Sequence, residues 1–254
     1  MRGRQTVDTL ITIPFSHYCE KARWALDLAE LPYVERGYLP ILHLLGTRPR
    51  GGRSVPLLVT HDRVITDSTD ILRAVDARRP GLLYPAAHAE EVAAWEERFD
   101  VQLGPHTRRL AYFHLLADPA RAFPLMRLGV PGWQVQLLRL GFPLARAAMR
   151  RGMRIDAAGA ERSLAQVRAV FAAVAAGLAD GRPYLVGDRF TSADLTFAAL
   201  AAPVICAPQN PGWHPPLEAL PPALAAEVAA LRGTPAGRYA LRVAAERPAT
   251  SRAA

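Results

Sequence analysis

Residues 6–80 and residues 88–245 have different textures, and that contrast narrows the folds open to this chain more than any other feature. The first stretch mixes short β-branched runs with short helical patterns, while the second is Ala-rich and helical almost throughout. Val7 to Ile13 alternates and is β-branched, which predicts a strand ended by Pro14. Ser16 then precedes His17 to Ala29, where Ala22, Trp24, Ala25, Leu26, Leu28 and Ala29 supply an apolar helical face. Tyr33 to Glu35 reads as a short strand, and the glycine-rich stretch to Arg53 as irregular. Pro56 to Val59 and Val64 to Ile65 read as two strands around a turn at His61-Asp62-Arg63, and Ser68 to Arg78 as a helix. The order is β-α-β-loop-β-β-α.

Arg78 to Pro85, with two prolines and a glycine, reads as a linker. Beyond it, Glu90 to Phe99 and Thr107 to Leu116 are helical around an interruption at Gly104-Pro105. A long helix is expected from about Ala157 to Ala179, because Leu164, Val167, Phe171, Val174 and Leu178 recur every three or four residues. Asp180-Gly181 ends it. Thr191 can cap the next helix while Asp194 reaches back to the Thr191 N–H, a capping box with Asp in the usual Glu place. Leu217 to Leu231 and Pro235 to Ala245 read as two further helices.

With half its residues hydrophobic and 21% charged, the chain can bury a sizeable core. No uninterrupted apolar run reaches the roughly 20 residues of a membrane-spanning helix. The most apolar candidate, 123–146, is broken by Arg127, Arg139 and two turn-like breaks. The first six residues lack a signal core, so a cytoplasmic protein without a membrane partner is expected. The net charge of +8 invites a nucleic-acid or membrane-surface partner, but Lys21 is the only lysine and the arginines are scattered, so neither is expected. Arg48, Arg50 and Arg53 are the best local group for an anionic ligand. Cys19 and Cys206 are too few and too distant for a disulfide framework or a zinc site, and no metal is expected.

Four segments resemble the glutathione transferase superfamily in the family's order. Residues 13–26 (IPFSHYCEKARWAL) look like its strand-to-helix catalytic turn, and Ser54-Val55-Pro56-Leu57-Leu58 like its cis-proline element. Residues 66–72 (TDSTDIL) look like its acidic-Ser motif, and residues 183–195 (PYLVGDRFTSADL) like its helix-capping motif. The resemblance implies an α+β fold: a thioredoxin-like, glutathione-binding domain over 6–80 and an all-helical domain over 88–245, as a homodimer. It implies glutathione as co-substrate and a small hydrophobic electrophile as partner.

Ser16 is the main catalytic candidate. A thiol titrates near 8.5, and a hydroxyl donor at a helix N-terminus lowers that value. Its other reading is a plain N-cap. Ser16-His17-Tyr18-Cys19 resembles the Cys-Pro-Tyr-Cys turn of glutaredoxin-like members, with Ser in the first place and His in the second. Cys19 then reads either as a reactive thiol or as a small buried residue. By resemblance, Val55 before cis-Pro56 offers its N–H and C=O to the cysteinyl part of glutathione, and Asp67 and Ser68 hold the γ-glutamyl ammonium and carboxylate. Arg53, Arg50 or Arg48 would take the glycyl carboxylate, or are solvated. The 37–53 loop lacks the family's usual Asn-Pro. His106, Arg109 and Tyr112 are spaced to share a face of a helix that lines the electrophile site in the family, with His114 close by. Trp213 and His214 lie in a Pro-rich loop that could close over a site. The implied activity is conjugation of glutathione, or a related thiol, to a hydrophobic electrophile, or a thiol-dependent isomerisation. The rival is a non-catalytic ligand-binding protein of the same fold, and a weaker one a reductase using Cys19.

Overall fold

A computed structural model describes residues 7–208 and 215–253. Trp213 and His214 lie outside the described residues. The N-terminal part is a four-stranded sheet in the order β2-β1-β3-β4, with β1 at Asp8–Thr12, β2 at Tyr33–Gly37, β3 at Leu57–Val59 and β4 at Val64–Ile65. β1 and β2 run parallel, joined through helix α1 (His17–Leu28), while β1–β3 and β3–β4 are antiparallel. Each strand sits where alternation and β-branching placed it.

The stretch before β3 is more ordered than expected. It holds a one-turn helix α2 (His43–Thr47) and a 3₁₀ turn at Arg48–Arg50, closed by Gly51 at φ 79. Helix α3 (Ser68–Arg78) completes the layer. Asp67, not Ser68, caps it, accepting from the Thr69 N–H at 2.8 Å. Ser68 is instead the first helical residue.

Eight helices follow among the described residues: α4 (Ala89–Gln102), α5 (Gly104–Leu115), α6 (Pro119–Met126), α7 (Gly132–Gly152), α8 (Ala157–Gly177), α9 (Ser192–Ile205), α10 (Pro222–Arg232) and α11 (Pro235–Ala245). Gly104-Pro105 opens α5 rather than interrupting it, since a proline in the first turn removes an N–H that has no helical partner anyway. α6 and α7 occupy the 123–146 stretch, whose breaks tell against a membrane span and within which no individual helix is delimited from sequence. Pro143 is tolerated within α7 because it is exposed and the carbonyl it leaves unpaired can turn to water. The expected 217–231 helix is a 3₁₀ turn at Leu217–Ala219 followed by α10, because Pro222 keeps Pro221 out of the helical region.

α9 is the axis of the core. All its residues except Pro203 are buried, with α1, α4, α5, α10 and α11 packed around it. Phe197 lies among the rings of Phe99, Phe171 and Tyr239. The capping box at its start is present: Asp194 Oδ2 accepts from Thr191 N at 2.7 Å and Thr191 Oγ1 at 3.0 Å, while Oδ1 accepts from Leu185 N at 2.9 Å and from the Tyr239 hydroxyl.

Two features tie the sheet to the helices. Lys21, fully buried, puts Nζ 2.8 Å from Glu96, 2.7 Å from Asp100 and 3.0 Å from Thr69, uniting α1, α4 and α3. Gln134 of α7 accepts from Leu39 N at 2.8 Å, and a Cβ on Gly37 would stand 2.0 Å from the Gly129 carbonyl, so only glycine fits that approach. The C-terminal tail returns along α1: Arg247 pairs with Glu20 and Asp27, and Ala253 N bonds Tyr33 O on the β2 edge.

Candidate functional site

The sheet register gathers the sequence candidates at one end. Ile11 pairs with Leu57, and Leu58 with Ile65. Continued past the paired residues, this register sets Val55 beside Ile13, and Asp67 beside Pro56. The β1–α1 turn carrying Ser16, the Val55-Pro56 step and the start of α3 therefore form one edge, onto which two helix N-termini point.

Ser16 is half-buried and has the extended backbone of an N-cap (φ −79, ψ 125), with its carbonyl accepting from Glu20 N at 2.9 Å. Its hydroxyl makes no capping bond, contrary to the plain N-cap reading, and lies instead against the Cys19 thiol. A hydroxyl free of the capping bond at a helix N-terminus, where the peptide dipoles add up to partial positive charge, is suited to turn to and stabilise an anion. Cys19 itself is buried. Burial pushes its thiol up to about 11, against the opposing pull of Arg23 and the Ser16 hydroxyl. That chemistry opposes the reductase reading.

The Val55–Pro56 peptide bond is cis. Val55 lies outside the β3 pairings, so its N–H and C=O are not taken by the ladder. Asp67 is exposed, and its Oδ1 serves the α3 cap while Oδ2 faces no cation among the described residues. Ser68, buried at the first turn of α3, brings an N–H with no helical acceptor.

The expected arginine group separates. Arg50 donates to the Gly46 carbonyl at 2.9 Å and so closes α2, while Arg48 and Arg53 are exposed. His43 approaches the Arg53 carbonyl at 3.3 Å, and burial lowers its pKa in spite of that contact. His17, which replaces the family's common proline, is buried 2.9 Å from the Gly104 carbonyl and ties α1 to α5. A Cβ at Gly104 would meet the Tyr18 hydroxyl at 2.3 Å, so the two helices can approach this closely only at a glycine.

Beside this edge opens a narrow cleft, part of it open to solvent, with a cavity volume of about 70 Å³, between the β1–α1 turn and α5, α6 and α10. Its wall is mostly apolar, with Phe15, Tyr112, Leu115, Met126 and Leu224. One cation interrupts it: Arg108 is half-buried and forms no salt bridge among the described residues. Burial pushes the Tyr112 hydroxyl up to about 12, so it stays protonated and can donate. Of the four residues expected here, only Tyr112 lines the cleft. Arg109 donates to Met153 O and Ser163 Oγ, both at 2.9 Å, and His106 stands 3.3 Å from the same Ser163. His106 and Arg109 thus share a face, but it is the face against α8. Sequence spacing missed Arg108, Phe15 and Leu224, which meet only through tertiary packing. The one available signal was Arg108 beside Arg109, since two adjacent residues cannot share a helix face.

These features define a thioredoxin-like protein with an all-helical second part and a cleft between them. Residues 10–82 match the family model for the glutathione S-transferase N-terminal domain, and residues 157–226 match that for its C-terminal domain. The chain belongs to the glutathione S-transferase superfamily. No curated protein sequence matches it. Among solved structures it is similar to a glutathione S-transferase of Ceriporiopsis subvermispora in complex with glutathione, at 16% identity and TM-score 0.65, covering 96% of this chain and 99% of that one. It is also similar to glutathione S-transferase III in apo form (21%, TM-score 0.56, 96% and 98% covered). A third is the beta-etherase of Sphingobium sp. strain SYK-6 (18%, TM-score 0.58, 93% and 99% covered). At these identities the likeness is one of fold.

Proposed function

We propose that the chain is a glutathione transferase-like enzyme that joins glutathione, or a related thiol, to a hydrophobic electrophile. The observation that carries this reading is the Ser16 hydroxyl, released from capping at the α1 N-terminus and placed between the Val55-Pro56 edge and an apolar cleft. The peptide thiol would lie along Val55, strand-fashion, with its γ-glutamyl ammonium on Asp67 and its carboxylate at the α3 N-terminus by Ser68. Arg53, exposed two residues before Val55, is the candidate for the glycyl carboxylate.

Turning from Cys19 to the bound sulfur, the Ser16 hydroxyl donates a hydrogen bond, and the thiol loses its proton more readily than a free thiol with pKa near 8.5. The thiolate then attacks the electrophilic carbon. The S–C bond forms as the leaving group departs, or, in an isomerisation, the thiol adds and is later expelled. Proximity in the cleft supplies much of the acceleration. The same reading makes the protein a cytoplasmic homodimer that uses no metal.

The test is retention on a glutathione-affinity column followed by a chlorodinitrobenzene assay of the parent and Ser16→Ala. Retention of both, with turnover lowered about a hundredfold in the variant, is the expected result. No retention and no turnover would favour the ligand-binding protein of the same fold. The departure of the 37–53 segment from the family pattern, with Arg50 engaged on Gly46, is what speaks for that rival.

A further inference from the structure

α7 has a second apolar face that the fold does not use. Gln134, Leu138 and Phe142 are buried against the body of the protein. Trp133, Leu137, Leu140 and Leu144 face outward, with 54, 48, 85 and 79% of their surfaces exposed. At about 100° per residue these four fall within a stripe about 60° wide. Ile41, itself half exposed, extends the stripe, since it shares a shallow groove with Leu137 and Leu144. Scattered exposed leucines are ordinary on a protein surface; an aligned row of them is not.

The charges around the stripe have one sign. Between Asp118 and Asp156 the chain holds seven arginines and no Asp or Glu. Arg139, Arg146 and Arg150 recur on one flank of α7, roughly 80–120° round the helix from the edge of the stripe, and none of them forms a salt bridge among the described residues. This segment also lies outside both matched family domains, which cover 10–82 and 157–226.

We infer that α7 docks the protein onto an anionic lipid surface, lying in the plane of the interface with Trp133, Leu137, Leu140 and Leu144 in the acyl boundary. Its arginines reach the phosphate headgroups, their aliphatic stems lying along the apolar edge. Such a helix does not need the length that spanning requires. The expectation of no membrane partner rested on the missing span and on arginines scattered along the sequence; among the described residues no helix is long and apolar enough to cross a bilayer, but α7 and its flanks gather arginines without acidic residues. A docking helix anchored through Gln134 to the loop after β2 would hold the body of the protein against the lipid.

The experiment is sedimentation of the full chain with vesicles of phosphatidylcholine mixed with phosphatidylglycerol, and with phosphatidylcholine alone. The parent should pellet with the anionic vesicles, less so at high salt, with a blue shift in emission that Trp133→Phe removes. The double variant Leu140→Glu, Leu144→Glu changes only exposed positions, so it should keep the parent circular dichroism. Its partitioning should fall by at least about tenfold per leucine. A parent that stays in solution with anionic vesicles overturns the inference, as does a double variant that binds like the parent. Conversion of a dimer to monomers by the double variant, with no vesicle binding by the parent, would assign the stripe to a second copy and overturn it equally.

Discussion

Replacing Asp194 by Ala removes the acceptor for four donors at the start of the core helix: Thr191 N, Thr191 Oγ1, Leu185 N and the Tyr239 hydroxyl. The side chain is fully buried, so water cannot take its place. The Thr191 hydroxyl can rotate, but the two backbone N–H groups cannot. Each buried donor left unmatched costs about 1–3 kcal/mol, and a lost helix cap about 1 kcal/mol. The loss should reach about 3–6 kcal/mol, a large part of the 5–15 kcal/mol that holds an ordinary domain together. This exceeds what a capping residue alone would suggest, because the structure adds Leu185 and Tyr239 to the box.

Urea unfolding followed by circular dichroism measures that loss. Asp194→Asn should fall between parent and Asp194→Ala, since one amide oxygen serves only one side of the network. Burial raises the Asp194 carboxyl above its usual range despite its donors. With the folded value above the unfolded one, near 3.9, its titration stabilises the fold below that unfolded value and the contribution is lost as pH rises through the folded value. The stability gap between parent and Asp194→Asn should therefore widen as pH falls from neutral. An Asp194→Ala protein within about 1 kcal/mol of the parent would refute the network account, given the deletion costs of buried donors.

Cys19 and Cys206 are both buried, and burial pushes each thiol up to about 11. Native protein should resist iodoacetamide at neutral pH, react faster only as pH climbs toward that value, and label at both positions once denatured; mass spectrometry reads the outcome. Rapid native labelling of Cys19 at neutral pH would return the reductase to consideration. Arg108, the cation in the apolar cleft, should favour electrophiles that carry a carboxylate. Arg108→Leu should raise KM about tenfold for such an acceptor, the effect of one lost charge-assisted hydrogen bond, and leave a neutral acceptor near the parent value.

Sequence periodicity was enough for the strands, for α1, α3, α8 and α11, and for the capping box, because each is written locally in alternation, in a helical stripe or in a cap. The candidate edge came from the family resemblance, which pointed to Ser16, Val55-Pro56 and Asp67; the sheet register then sets these residues side by side. What escaped is decided by contacts between distant residues. The α5 face bearing His106 and Arg109 had a partner in Ser163 of α8, which spacing along α5 could not reveal. α7 was not delimited because the breaks at 123–146 bore only on a membrane span; an exposed proline in a long helix leaves a carbonyl that water satisfies, so the helix itself runs through. The ion pairs of Glu20, Arg23, Glu35 and Arg247 left only a weak local mark, Glu20 and Arg23 one turn apart.

The seam held by Lys21 has a chemical consequence for the whole surface. Since Lys21 is the chain's only lysine and no part of it reaches solvent, the folded protein presents no side-chain amine to acetyl donors, to ubiquitin ligases or to succinimidyl esters. An acyl group found there would be a mark left by α1 parting from α4, so labelling at Lys21, read apart from the terminal amine, is a clock for the opening of that one joint.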